Sequence, residues 1–274
     1  MAELDPSHNT REPEDEAKRG LTFLQMGFRR LDMIEVRVAS LVVRNHSSLA
    51  GDRDAAPYNP VPDQVNGLLS TATDHLRGVQ VTVEESGGKI LAMSLFTLVR
   101  SAYEATGTGL WLLHPSSRDL RIHRSMQLTW DNRRQVRSVM TELGKDPAED
   151  VGFTRMEYRL NELRMAREGL RDKELKGLES VTGRLKSVAT LTPDLIFPPI
   201  VLWQMASGIA HGNSAMFQNV LEREQLTPFT TGSASFKVTT SVVSIAMFYD
   251  AALTLVDRLI NQYESRNVPL TISN

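Results

Sequence analysis

The pair Gly87-Gly88 interrupts two long stretches whose apolar residues recur at three- and four-residue steps. A connection that short gives the flanking helices no route except back along each other. The spacing predicts helices over 64–85 and 89–113, the second stopped by His114-Pro115, packed as an antiparallel hairpin. In that hairpin, positions whose numbers sum to about 175 lie level. Asp74 and His75 on the first helix therefore fall beside Arg100 and Ser101 on the second.

The same spacing runs through most of the chain. Leu21, Leu24, Phe28, Leu31, Ile34, Val38 and Leu41 predict a first helix over 18–46. The stretch GDRDAAPYNPVPDQ, with three prolines, reads as a loop. A helix over 118–143 is bounded by Pro115-Ser-Ser and Gly144. Apolar positions 156, 160, 163, 170, 178, 181, 185 and 188 lie on a charged background. They read as one long amphipathic helix over about 150–190, or a helical hairpin turning near Lys176-Gly177. Pro198-Pro199 starts a helix that reaches His211 and stops at Gly212. Residues 227–240 are polar and partly alternating, as a loop or small hairpin would be, and a last helix covers 241–265.

These elements imply an all-α multi-helix bundle with one small β-hairpin. The expected organisation is a disordered acidic tail over 1–17, a single helical domain over 18–265 and a short C-terminal tail over 266–274. A chain of 274 residues, 41% hydrophobic and 23% charged, is long enough to bury a core of its own.

Composition narrows the chemistry. With no cysteine there is no disulfide, no thiolate metal site and no cysteine nucleophile. The formal net charge of -2 gives no overall attraction to polyanions, so nucleic-acid binding requires a local patch. No histidine has a glutamate three residues before it, and neither HExxH nor GxSxG occurs, so no metal or cofactor is implied. The most apolar windows contain either Arg100 and Glu104 or Pro198-Pro199, which argues against a membrane span. The first twenty residues lack an apolar run, and a cytoplasmic location is expected.

Two polar spots stand out from the apolar helices. Arg100 and Glu104 are the only charged residues between 90 and 113 and lie four apart on one face. Burial of that helix would require them to be paired, with each other or with Asp74, His75 or His211, and breaking a buried pair costs about 3–5 kcal/mol. Ser207 and His211 share a face of the late helix, with His211 in its last turn, where the helix dipole favours imidazolium. Both spots fit a polar catalytic cleft and both fit a structural polar core.

A third candidate is basic. The stretch RDLRIHRSMQLTWDNRRQVR (118–137) has six arginines and one histidine against two aspartates. Arg121, Arg124, Arg133, Arg134 and Arg137, with Trp130 among them, could follow a phosphate backbone and stack a base. Because they are spread round the helix, an ordinary solvated face with internal ion pairs is the competing reading.

RSAYE (100–104) running into LWLLHP (110–115), the spacing W-x-x-x-S-x-x-x-H-G (203–212) and the helical frame resemble uncharacterised all-helical proteins of high-GC bacteria. They also resemble HEPN-type bundles, over about residues 64–215. That resemblance implies RNA binding or metal-independent endoribonuclease activity of the kind found in toxin–antitoxin and phage-defence systems, with a homodimer or a partner protein. On this reading His211 is the general acid or base, Arg100 stabilises the phosphorane, and Glu104 and Asp74 orient them. The chain departs from the family's pattern of Arg, four to six residues, His: Gln204, Met205 and Ala206 stand where His211 would need its arginine. The literal match is Arg118 to His123. The alternative is a non-catalytic helical interaction module whose polar cluster is structural.

Overall fold

A computed structural model describes residues 4–269. It is an all-α bundle with one two-stranded antiparallel hairpin. The helices are α1 (Glu14–Ala39), α2 (Ser48–Ala55), α3 (Val61–Glu85), α4 (Ser94–Leu113), α5 (Arg118–Glu142), α6 (Val151–Ala166), α7 (Val181–Val188), α8 (Pro199–Ala210), α9 (Ser214–Val220) and α10 (Val242–Arg266). The hairpin β1 (Glu222–Gln225) and β2 (Phe236–Thr239) pairs Glu222 with Thr239 and Gln225 with Phe236.

The centre of the bundle is α4, packed by α3, α10, α8 and α7. Every residue from Ala105 to Leu113 is buried. That is possible because Gly107 and Gly109 let neighbours approach the α4 backbone. A Cβ on Gly109 would meet Leu259 of α10 at 2.5 Å, and one on Gly107 would run into Leu185 of α7. The α3–α4 pair has the expected register: the Cβ position at Gly78 lies 3.5 Å from Leu98 Cδ1, and 78 and 98 sum close to 175. A second, smaller core under α5 and α6 contains Ala56, Ile122, Met126, Leu160, Leu170 and Leu175.

Several expectations are corrected. The first helix ends at Ala39 rather than 46, where Ser40 Oγ donates to the Arg37 carbonyl at 2.7 Å and the chain enters a run of β-branched and polar residues. The stretch read as a proline-rich loop, 51–64, begins inside α2 and ends inside α3, and α2 is started by Ser47, whose hydroxyl accepts the Ala50 N–H at 3.0 Å. The α3–α4 connection runs on to Met93, so α4 begins five residues later than expected.

Of the two forms expected over 150–190, the single long helix is absent and two helices, α6 and α7, stand in its place. After α6 the chain takes a single 3-10 turn at Glu168–Leu170 and an irregular path past Gly177, which has φ +84°, before α7. The apolar positions 160, 170, 185 and 188 are nevertheless buried.

The tail is docked rather than free from residue 5 onward. Thr10 pairs with Arg223 of β1, and Gln225 N–H donates to Asn9 Oδ1 at 2.8 Å. Glu12 caps α10, accepting the N–H of Val242 at 2.6 Å and of Val243 at 3.2 Å. At the other end, Pro269 pairs with Ser47. Residues 1–3 and 270–274 lie outside the described residues.

Candidate functional site

Because α4 is buried along its second half, its charged turn lies where the bundle opens. Arg100 and Glu104 face a cleft of about 790 Å³ between α3, α4, α5 and α7. Arg100 Nη2 stands 3.7 Å from Glu104 Oε2, and the two side chains are 24% and 37% exposed. The expected contact exists, yet it is a loose pair at the cleft wall and not a buried lock. The Arg100 guanidinium also lies over the Trp203 ring, 5.6 Å from its centroid, and its Nε is buried with no hydrogen-bond partner.

The hairpin register brings His75 into this cleft with Arg100, Ser101 and Glu104. Asp74, one residue earlier, is exposed and is not part of the lining. The structure does not bring in the other pair. His211 follows α8 as its C-cap residue, its N–H donating to the Ser207 carbonyl at 3.0 Å, and its side chain is exposed. Neither His211 nor Ser207 lines the cleft. Gly212, at φ +72°, ends the helix in the expected left-handed conformation.

The residue that completes the cleft is Arg184 of α7. It is 8% exposed, and its Nε has no hydrogen-bond partner. Among the described residues no carboxylate lies within ion-pair distance of it. Burial pulls its pKa below the usual guanidinium range, while the charges of Glu104, Asp131 and Glu179 act in the opposite sense from farther off. Nearby carboxylates are already occupied. Asp131 accepts from Arg134 at 2.8 Å and from Gln135 at 2.7 Å, and Glu179 accepts the Trp111 indole N–H at 2.8 Å. Sequence reasoning passed over Arg184. The signal was its position between 181 and the apolar 185 and 188, on the buried face of a short helix.

The α5 arginines are committed within the fold. Arg121 is buried and bonded to Asp52, to Ser48 and to the carbonyls of Pro115 and Ser116. That removes it from any nucleic-acid surface, because its charge is spent on a buried carboxylate. Arg124 donates to the Trp111 carbonyl and stacks on that indole at 4.4 Å, and burial lowers its pKa. Arg133 pairs with Asp150 at 2.8 Å, Arg134 with Asp131 at 2.8 Å, and Arg137 lies over the Phe153 ring at 4.6 Å. Trp130 is partly buried against the second core, T-shaped to Phe153, with Lys176 Nζ over its ring at 5.9 Å.

No family model, curated protein or solved structure matches the chain. Its chemistry therefore rests on the cleft. Among the described residues no group of three His, Asp or Glu side chains is placed to hold a metal ion, and no helix is long and apolar enough to cross a membrane. The cleft combines two guanidinium groups, an imidazole and three carboxylates, of which Glu104 is paired with Arg100, Asp131 is paired with Arg134 and Asp63 is exposed at the rim. The amides of Asn132 and Gln135 lie at its mouth, and Leu128, Ala105 and Leu178 supply apolar wall. Such a mixture suits a ligand that has both an anionic group and hydrogen-bonding, partly apolar surface.

Proposed function

We propose that the protein binds RNA, drawing a phosphodiester of a single strand into the cleft between α3, α4, α5 and α7. The observation that carries this reading is the meeting of Arg100 and Arg184 in one cleft large enough for a nucleotide. Part of the same proposal is kinship with HEPN-type bundles, acting as a cytoplasmic homodimer in a toxin–antitoxin or phage-defence setting. The helical frame and the motifs at 100–115 and 203–212 support it. A sedimenting monomer at micromolar concentration would remove the dimer.

A second reading, metal-independent ribonuclease activity, is favoured by His75 and Glu104 lining the same cleft. One of them would take the proton of the attacking ribose 2′-hydroxyl and the other would protonate the leaving 5′-oxygen, leaving a 2′,3′-cyclic phosphate. The guanidinium groups would stabilise the phosphorane. His211, outside the cleft, has no part in this version.

The test uses single-stranded RNA at low salt with excess chelator, read by fluorescence anisotropy and by gel. Binding without cleavage supports the binding reading. Cleavage lost in His75→Ala supports the nuclease, and cleavage surviving there but lost in His211→Ala places the chemistry on α8. Absence of binding leaves the interaction module with a structural polar cluster. The double variant Arg133→Gln, Arg137→Gln should bind as the unaltered chain does, since Arg133 is paired with Asp150, Arg137 lies over Phe153, and neither lines the cleft. Arg134 is kept because it neutralises Asp131 at the cleft wall.

A further inference from the structure

Charge pairing around the cleft leaves one buried remainder. Glu104 is matched by Arg100 and Asp131 by Arg134, while Asp63 is an exposed rim residue. Arg184 is the cation left over, more than nine-tenths buried, with its Nε unsatisfied. A buried guanidinium without a counter-charge is destabilising, because the loss of hydration is not offset by a nearby anion. Folds retain such a group where a ligand supplies what is missing.

Its depth also restricts the ligand. Helix α7 is drawn against α4 at Gly107, so Arg184 is reached through the cleft and not from a flat surface. A continuous duplex backbone cannot descend there, whereas one splayed nucleotide can. The planar fork of a guanidinium matches two phosphate oxygens.

We infer that Arg184 is the phosphate seat of the cleft and that it takes a single, singly charged phosphodiester, completing an ion pair that the fold leaves open. This rests on the RNA reading for the identity of the ligand, although the open charge stands without it. Arg100, over Trp203, lines the same cleft and adds a second donor.

The test uses the whole chain and a dinucleoside monophosphate, which has one phosphodiester, with acetate and inorganic phosphate as comparisons. Titration calorimetry should give one site, with log K against log salt falling at a slope of about -0.7, the value for one phosphate on a single strand. Arg184→Met should weaken binding at least tenfold and raise the thermal midpoint of the free protein, since it removes an unpaired buried charge and keeps the volume. Arg184→Lys should retain part of the binding.

A lowered midpoint with unchanged binding in Arg184→Met would make Arg184 structural and overturn the proposal. A slope near -2 or steeper would show several phosphates and overturn the single seat. If Arg184→Met does not fold, Arg184→Lys decides: binding equal to wild type or wholly lost overturns the forked seat. Long RNA that binds Arg184→Met as well as wild type preserves the RNA reading and removes the seat. Dinucleotide, phosphate or acetate bound through Arg184 with no affinity for longer RNA removes the RNA reading and preserves an anion seat.

Discussion

Arg121 of α5 grips Asp52 of α2 at two points, Nε to Oδ2 at 2.6 Å and Nη2 to Oδ1 at 2.7 Å, with both side chains at or below 1% exposure. The pair ties the short helix α2 to the start of α5 and helps to hold so brief a helix ahead of the proline-rich turn that follows it. Removing Asp52 strands Arg121 in the interior, and removing Arg121 leaves the buried Asp52 with only the half-exposed Arg118, whose Nε lies 3.3 Å from Oδ1. Arg121→Met should lower the unfolding free energy by about 3–5 kcal/mol, measured in urea. Joint replacement with Asp52→Leu should recover most of that loss. An Arg121→Met chain as stable as wild type would mean that water reaches Asp52.

Arg100 and Glu104 present the opposite case, although from the sequence they looked like the buried pair. Their 3.7 Å separation and exposures of 24% and 37% place them with surface ion pairs, worth about 0–1 kcal/mol. Arg100→Met should therefore change stability by less than about 1 kcal/mol while weakening any anion bound in the cleft. A loss of several kcal/mol would restore the reading of a structural lock.

Why the sequence buried the Arg100–Glu104 pair and left Arg121 free for nucleic acid is a matter of neighbours. The burial of α4 was legible from its apolar content, and so were the α3–α4 register, the α8 start at Pro199 and the stop at Gly212. What a run of residues cannot show is which turn of a buried helix faces an opening. The charged turn of α4 faces the cleft, and Arg121 and Arg133 of α5 find Asp52 and Asp150 on segments whose approach depends on tertiary packing, whereas Arg134 pairs with Asp131 three residues before it on the same helix. Helix α2 was hidden by the prolines that follow it although Ser47 is an ordinary helix-starting residue. The seam over 150–190 was read correctly as apolar, and of the two forms left open the single long helix is absent and the chain breaks into α6 and α7 on either side of a stretch containing Gly177. Its buried positions are supplied partly by irregular chain, held where Arg164 donates to the Lys173 carbonyl and His123 bonds the Glu174 carbonyl.

That last contact makes stability depend on pH. His123 Nε2 donates to the Glu174 carbonyl at 2.8 Å, and burial lowers its pKa below 6.5, an effect reinforced by the charges of Lys173, Arg124 and Arg164. Below pH 6.5 the unfolded chain takes up a proton that the folded chain does not. Stability is therefore full above pH 6.5 and falls as the pH drops through the folded pKa, by no more than about 1.4 kcal/mol per pH unit for one proton. His123→Gln keeps a donor and cannot be charged. It should flatten the decline between pH 7 and 5, and an unchanged slope would assign the decline to other groups.

Gly107 links the fold to the cleft. An added Cβ there would fall well inside contact distance of Leu185 Cδ2 and lie 3.3 Å from Leu185 Cγ, and Leu185 is buried and cannot swing into solvent. In an exposed helix a Gly→Ala change stabilises by about 0.5–1 kcal/mol, because alanine loses less backbone entropy. At Gly107 overpacking of about 1–3 kcal/mol opposes that gain, so Gly107→Ala should be net destabilising. Gly67 on α3 is the control. Nothing lies within 4 Å of its Cβ position, and Gly67→Ala should raise stability by about 0.4–1 kcal/mol. Gly107→Ala should also weaken anion binding, because Leu185 can yield only by moving α7, and Arg184 is the preceding residue on that helix. Pairing Gly107→Ala with Leu185→Val, which shortens the obstructing side chain, should recover binding more fully than stability. Undiminished binding in the single variant would show that α7 tolerates the displacement and that the position of Arg184 does not depend on this contact.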